Sequence, residues 1–337
     1  MDIQKNKIVN LPWVYATAEL NLDGKRYLAA ASEARDEHAY LIQPDTLECT
    51  DLWVGETGVM NVVQIPGRNQ LLAITKFYPI FQSKDAAICL LEPTEDGILS
   101  PWKITEVLPL PFCHRIGIVS NKNGAFVIGC QLCSDKEFQE DWSQPGGIWM
   151  APIPEEANGN WQLTKVFDGF TKNHGLFIEK DNQVYICSEN GVMLFDMANY
   201  KAGDRLLPTL VTTTPTSDIW VYTEAGQKLA CTIEPFHGNT IGVYGLTDTA
   251  YEKKADFPAD FCHVAWMGEL FGQSAVIVGN RGGDKTLRII YWRTGESIIL
   301  DEDVAPTQIT VYQDGSCTKI LSANHGAGEV SLYTLCE

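Results

Sequence analysis

The chain has 337 residues, 45% of them hydrophobic, and a formal net charge of -18 at pH 7. That balance excludes nucleic acid and an anionic membrane surface, both of which call for Lys/Arg-rich faces. No apolar run approaches the roughly 18 residues of a membrane span, and the first residues, MDIQKNKIVN, lack the apolar centre of a secretion signal. The expectation is a cytoplasmic protein whose ten cysteines are reduced thiols.

Short β-branched and aromatic runs separated by Gly- or Asn-containing turns fill the sequence, which predicts strands throughout. One turn recurs as NLDGK, PGRN, NKNG, KDNQ, EAGQ, LFGQ and QDGS, with markers at Gly24, Gly67, Gly124, Asn182, Gly226, Gly272 and Gly315. Most markers stand 43–46 residues apart, and two gaps widen to 57 and 58. A period in this range with strands throughout indicates a propeller. The predicted fold is an all-β, seven-bladed β-propeller in one domain spanning residues 1–337.

In chain order the predicted strands are 14–21, 27–32, 39–43 and 49–54 for the first blade. Blade 2 takes 60–65, 71–75, 86–91 and 104–108, and blade 3 takes 116–120, 126–131, 147–151 and 162–167. Blade 4 takes 176–179, 184–188, 192–195 and 209–213, and blade 5 takes 219–223, 229–233, 241–244 and 251–255. Blade 6 takes 263–267, 274–278, 287–292 and 296–300. Blade 7 takes 308–312, 319–322 and 330–335 and then runs out of chain. Lys7 to Pro12 resembles Val107 to Pro111, so the N-terminal segment is expected to supply the missing strand and close the ring, removing exposed sheet edges.

In a four-stranded antiparallel blade the recurring hairpin turns open on one face of the disc. The chemically richer loops open on the other. His114, His174 and His263 precede or begin innermost strands, and His38, His237 and His325 lie in loops between second and third strands. All six are therefore expected on one face, joined there by Lys76, Gln131, Glu189, Glu234 and Arg281. Two aromatic insertions, 76–84 and 131–146, reach the same face, and the second could serve as a lid.

The histidines admit three readings. Each could cap a turn or bond a carbonyl. Alternatively, His114, His174 and His263, with Glu234, could hold a divalent metal such as Zn, Mn, Fe or Ni. Acid–base work by His237 and His325 is compatible with that. Cys130 and Cys133 form a CxxC without a second pair, which reads as packed thiols. The Gly279 to Asp284 loop joins two strands rather than opening a helix, so it is not a phosphate loop. It is expected to aim Arg281 at the channel. There is no DxDxDG calcium loop and no GxSxG.

The stretches IEPFHGN, FCHVAWMGEL, IVGNRGGDKTLRIIYW, KNHGL and SANHGAG resemble the FG-GAP/VCBS-like propeller of aldos-2-ulose dehydratase and its bacterial relatives. That resemblance implies removal of water from a keto sugar such as 1,5-anhydrofructose or glucosone, assisted by a divalent metal (Zn, Mn or Mg). It implies site residues at His174, His237, His263 and His325. The chain lacks that family's extra domains and acidic calcium loops.

Eliminating water beside a ketone needs a base, an oxyanion holder and an acid. His237, His325 and Arg281 are the expected catalytic residues. Lys76, Phe77, Tyr78, Trp142, Glu189 and Phe236 are the expected substrate contacts. The alternatives are a non-catalytic propeller binding carbohydrate or protein, and a lactonase-type hydrolase with acidic channel ligands.

Overall fold

The computed structural model describes residues 2–53, 55, 57–79, 82–156, 159–247 and 251–337. It contains seven four-stranded antiparallel sheets, the expected seven-bladed propeller. Within each of the first six blades, successive strands pair in chain order from the axis outward. The innermost strands are Val14–Leu22, Asn61–Gln64, Cys113–Asn121, Gly175–Ile178, Asp218–Glu224, Cys262–Leu270 and Ile309–Asp314. The expected strand end at Val54, and Ile80 and Phe81 of the first insertion, lie outside the described residues.

Strand interiors such as Leu71–Thr75 are buried at every position, because each blade has neighbours on both faces. Successive side chains then serve opposite interfaces. Leu71 packs with Ala29 and Leu41 of blade 1, whereas Leu72 packs with Val127 of blade 3. Val276 and Ile277 divide in the same way between blades 5 and 7. The core is therefore a ring of interblade layers around an axial channel.

The ring closes as expected. Asp2–Asn10 pairs antiparallel with Glu329–Cys336 and becomes the outer strand of blade 7. Lys5 ties this strand down through Asp301 at 2.6 Å and Glu329 at 2.7 Å. The hairpin turns take the left-handed backbone that suits them: Asp23 and Gly24 have φ of 51° and 73°, and Phe271 and Gly272 have 51° and 70°.

One cysteine expectation is corrected. Cys317 and Cys336 form a disulfide, because they stand one step beyond the paired residues Thr318 and Leu335 on adjacent strands. Cys130 and Cys133 are free and buried, as the packed-thiol reading expects. Burial pushes the Cys133 thiol up to about 12. Among the described residues no helix is long and apolar enough to cross a membrane.

Candidate functional site

A repeated backbone device aims rings at the axis. Trp13, Phe112, Lys172 and Phe261 have φ of 54°, 56°, 53° and 45°, a left-handed conformation that bulky residues seldom adopt. Two residues after each come Tyr15, His114, His174 and His263. In blades 1, 3 and 6 the aimed residue also occupies a β-bulge, between Val14 and Ala16, Cys113 and Arg115, and Cys262 and Val264. The turn is held from the second strand. Trp13, Phe112 and Phe261 carbonyls accept the backbone N–H of Glu33, Leu132 and Arg281 at 3.0, 2.9 and 3.1 Å. Strained backbone of this kind persists only where its surroundings fix it.

His114, His174 and His263 are buried at this mouth, and His237 arrives from the Glu234 to Asn239 loop with φ of 46°. The rings are packed together: centroids of His114 and His174 are 4.0 Å apart, and those of His237 and His263 are 4.6 Å apart. Each strand-borne imidazole donates its Nδ1–H to a carbonyl of the following blade. His114 bonds His174 O at 3.3 Å, His174 bonds Ser217 O at 3.1 Å, and His263 bonds Thr307 O at 3.0 Å. A carbonyl only accepts, so a ring that donates to one carries its lone pair on Nε2; the Ser217 hydroxyl also stands 3.3 Å from His174 Nδ1. This carbonyl partnership is the arrangement that orients metal-binding imidazoles.

Those three lone pairs meet few protons. Tyr15 Oη lies 3.2 Å from His114 Nε2 and 3.3 Å from His263 Nε2, but a phenol has one proton to give. His237 Nε2 lies 3.0 Å from His174 Nε2 and can donate there. Among the described residues that leaves one Nε2 lone pair without a proton, inside a buried group. A cation satisfies such a donor set, and one ligand atom from each of His174, His237 and His263 lies within 4.8 Å of the others. Burial first, and neighbouring Arg115 and Arg281, hold His237 down at about 3. Burial likewise keeps His114, His174 and His263 well below the ordinary imidazole range. Neutral imidazole is the form that binds metal.

A second group stands beside this one. His325 donates through Nε2 to Glu33 Oε1 at 2.8 Å, and Arg281 Nη2 approaches His325 Nδ1 at 3.3 Å. Trp13 lies edge-on to His325, 5.2 Å between centroids, and Phe261 lies edge-on to His237 at 5.1 Å. Trp13 and Phe261 are 46% and 45% exposed, so the mouth has open aromatic faces. Below the rings is a chamber of about 160 Å³ lined in part by Asn61, Arg115, Asp218 and Gln308. Burial pushes the Asp218 carboxyl up to about 6, against the pull of Arg115.

The remaining expected residues divide. Phe236 stacks on His237 at 4.2 Å, and Trp142 of the long insertion meets Phe236 at 5.6 Å, so both border the mouth. Phe77 is buried against His114 at 5.5 Å and offers no open face. Glu189 is paired with Lys172 at 2.9 Å. Lys76 reaches outward to Glu106 at 2.9 Å, and Tyr78 carries the Arg35 guanidinium at 3.9 Å. Neither of these belongs to the histidine group.

Glu234 is a correction to the expected ligand set. Its Oε1 accepts Thr232 Oγ1 and Tyr244 Oη, each at 2.7 Å, which turns it into blade 5, and His237 stands in the group instead. His38 faces Asp51 at 2.7 Å and stacks on Tyr40, away from the other five. Sequence reasoning missed Tyr15, Glu33, Arg115 and Asp218. Tyr15 was within reach: Leu-Pro-Trp-Val-Tyr (11–15) aligns with Leu-Pro-Phe-Cys-His (110–114).

Fold and mouth together define a seven-bladed β-propeller with a polar, histidine-rich axial site. No family model matches the sequence. No curated protein matches it either. Solved structures share the fold. A streptogramin B lyase structure is 13% identical with a TM-score of 0.62, covering 99% of this chain and 98% of that one. A chain of the mitotic checkpoint complex is 11% identical with a TM-score of 0.63, covering 99% and 93%. Sqt1 of Saccharomyces cerevisiae is 11% identical with a TM-score of 0.57, covering 92% and 81%. At such identities the likeness is one of architecture, and propellers carry unrelated functions.

Proposed function

We propose that this protein is a metal-assisted lyase that removes water from a small keto sugar at the histidine mouth. The observation behind this reading is the buried cluster of His174, His237 and His263, with one ligand atom from each within 4.8 Å of the others. The resemblance of the Pro-Phe-His-Gly-Asn and related stretches to the aldos-2-ulose dehydratase family supports the substrate class. The similarly folded streptogramin B lyase structure carries a lyase name on the same architecture.

A divalent ion held by His174, His237 and His263 would polarise the substrate carbonyl. The chain's own residues do the rest. Arg281 faces the oxygen that becomes an enediolate. Trp13, Phe261 and Phe236 lie along the apolar face of the ring. His325, steadied by Glu33 at 2.8 Å, takes the proton α to the carbonyl on Nδ1. The electron pair so released forms the carbon–carbon double bond, the adjacent C–O bond breaks, and the hydroxyl leaves as water with that proton. The acidic net charge supports a small carbohydrate partner rather than nucleic acid or membrane.

Elemental analysis of the purified protein, followed by dialysis against chelator and assay on 1,5-anhydrofructose and glucosone, tests this. The expected result is bound divalent metal and turnover that disappears with the metal and returns on its addition. Full activity in the stripped protein removes the metal role. Bound metal without turnover on any keto sugar leaves a carbohydrate- or protein-binding propeller.

A further inference from the structure

The three-histidine group omits a ring that the backbone treats as its equal. Tyr15 follows a left-handed residue by two positions and sits on the same bulge as His114 and His263. Its ring is edge-on to both, at centroid distances of 6.3 and 5.4 Å, and it is almost fully buried. Its oxygen lies 3.2 and 3.3 Å from their Nε2 atoms. Ligand atoms about 2.1 Å from a tetrahedral ion stand about 3.4 Å from one another. The Tyr15 oxygen is thus already at ligand-to-ligand spacing from His263, one of the three imidazoles that would hold the ion. The Arg115 guanidinium lies 5.9 Å from the Tyr15 ring centroid. It hydrogen-bonds the His114 carbonyl at 3.4 Å and, among the described residues, makes no ion pair.

We infer that Tyr15 is an oxygen ligand of the same centre, bound as phenolate beside His263, one of the three imidazoles that would hold the ion. The inference rests on the reading that these histidines hold a metal. When the oxygen–metal bond forms, the O–H bond breaks and its proton passes to solvent, with no electron transferred. The centre is then a mixed imidazole–phenolate site, with one negative charge more than a set of imidazoles alone.

Copper(II) is the probe, since among divalent first-row ions it binds nitrogen and oxygen sites most tightly. The full-length protein is stripped with chelator, loaded with Cu(II), and followed by visible absorption, paramagnetic resonance and resonance Raman spectroscopy. The expected result is a phenolate-to-copper charge-transfer band with phenolate Raman modes. The band is lost in Tyr15→Phe, while nitrogen hyperfine structure shows copper still held by imidazoles. Copper bound through nitrogens in the wild type without that band overturns the Tyr15 assignment and leaves the histidine centre standing. A band that survives in Tyr15→Phe overturns it equally. Failure of the wild type to bind copper removes the centre itself. The wild-type Raman spectrum decides between these results even if the variant does not fold.

Discussion

Nε2 of His174 lies 3.0 Å from Nε2 of His237, although one ring begins the inner strand of blade 4 and the other hangs from a loop of blade 5. When His174 donates its Nδ1–H to the Ser217 carbonyl, its lone pair faces His237. His237 has the softer anchorage: it stacks on Phe236, and among the described residues its Nδ1 makes no hydrogen bond. It is the ring free to exchange a proton for a metal, turning its own lone pair inward.

Replacing His174 or His237 with Ala is therefore expected to weaken metal binding by at least about 100-fold, since even the outer partners of such ligands are worth 10–100-fold. Competition titration against a chelator of known affinity checks this. Glu234→Gln should leave metal affinity unchanged, because that carboxylate is engaged by Thr232 and Tyr244.

Glu33→Gln and Arg281→Lys separate chemistry from metal binding. Glu33 holds the His325 ring and Arg281 crosses to it. Loss of general acid–base assistance costs roughly 10²–10⁴-fold in rate. The expected outcome is a fall of that size in kcat with metal content unaltered, read by steady-state kinetics and elemental analysis side by side.

The metal-free protein should lose stability as pH falls below about 6.5, where unfolded imidazole begins to protonate. His114, His174, His237 and His263 are held neutral in the fold, His237 down to about 3. Below pH 6.5 the unfolded chain therefore binds protons that the folded chain does not. Each ring contributes up to about 1.4 kcal/mol of lost stability per pH unit. Asp218, raised to about 6, has the opposite sign between its unfolded value of about 3.9 and 6, but it is one group against four. Melting temperatures recorded from pH 7 to pH 5 should decline. A flat profile would contradict the buried neutral rings.

Ring closure gives the last prediction. Deleting residues 2–10 uncovers the pairing edge of Glu329–Cys336, so a sharply lower melting temperature and aggregation are expected. Lys5→Met, which leaves the buried Glu329 carboxylate to the more distant Lys7, should cost more than the roughly 1 kcal/mol of a surface pair. Reducing Cys317–Cys336 should cost about 2–4 kcal/mol, visible in denaturant titrations with and without reductant.

The sequence by itself determined the ring. Strand runs and turns such as Asp23-Gly24 and Phe271-Gly272 are local signals, repeated in each blade, so seven blades and their closure were legible. So was the convergence of His114, His174, His237 and His263, because position within the repeat fixes which face a residue occupies. The tertiary structure alone decided which groups share the axis. Glu234 was lost to the Thr232 and Tyr244 hydroxyls, and His38 to Asp51. Tyr15 joined from blade 1, across the ring from His114 and His263, and Glu33 joined from the same blade to meet His325 of blade 7 where the ring closes. The Leu-Pro-aromatic repeat marks Tyr15 as an aimed residue, but which groups it and Glu33 meet depends on bulges and left-handed turns that rotate single side chains, and on neighbours more than 200 residues away in the chain.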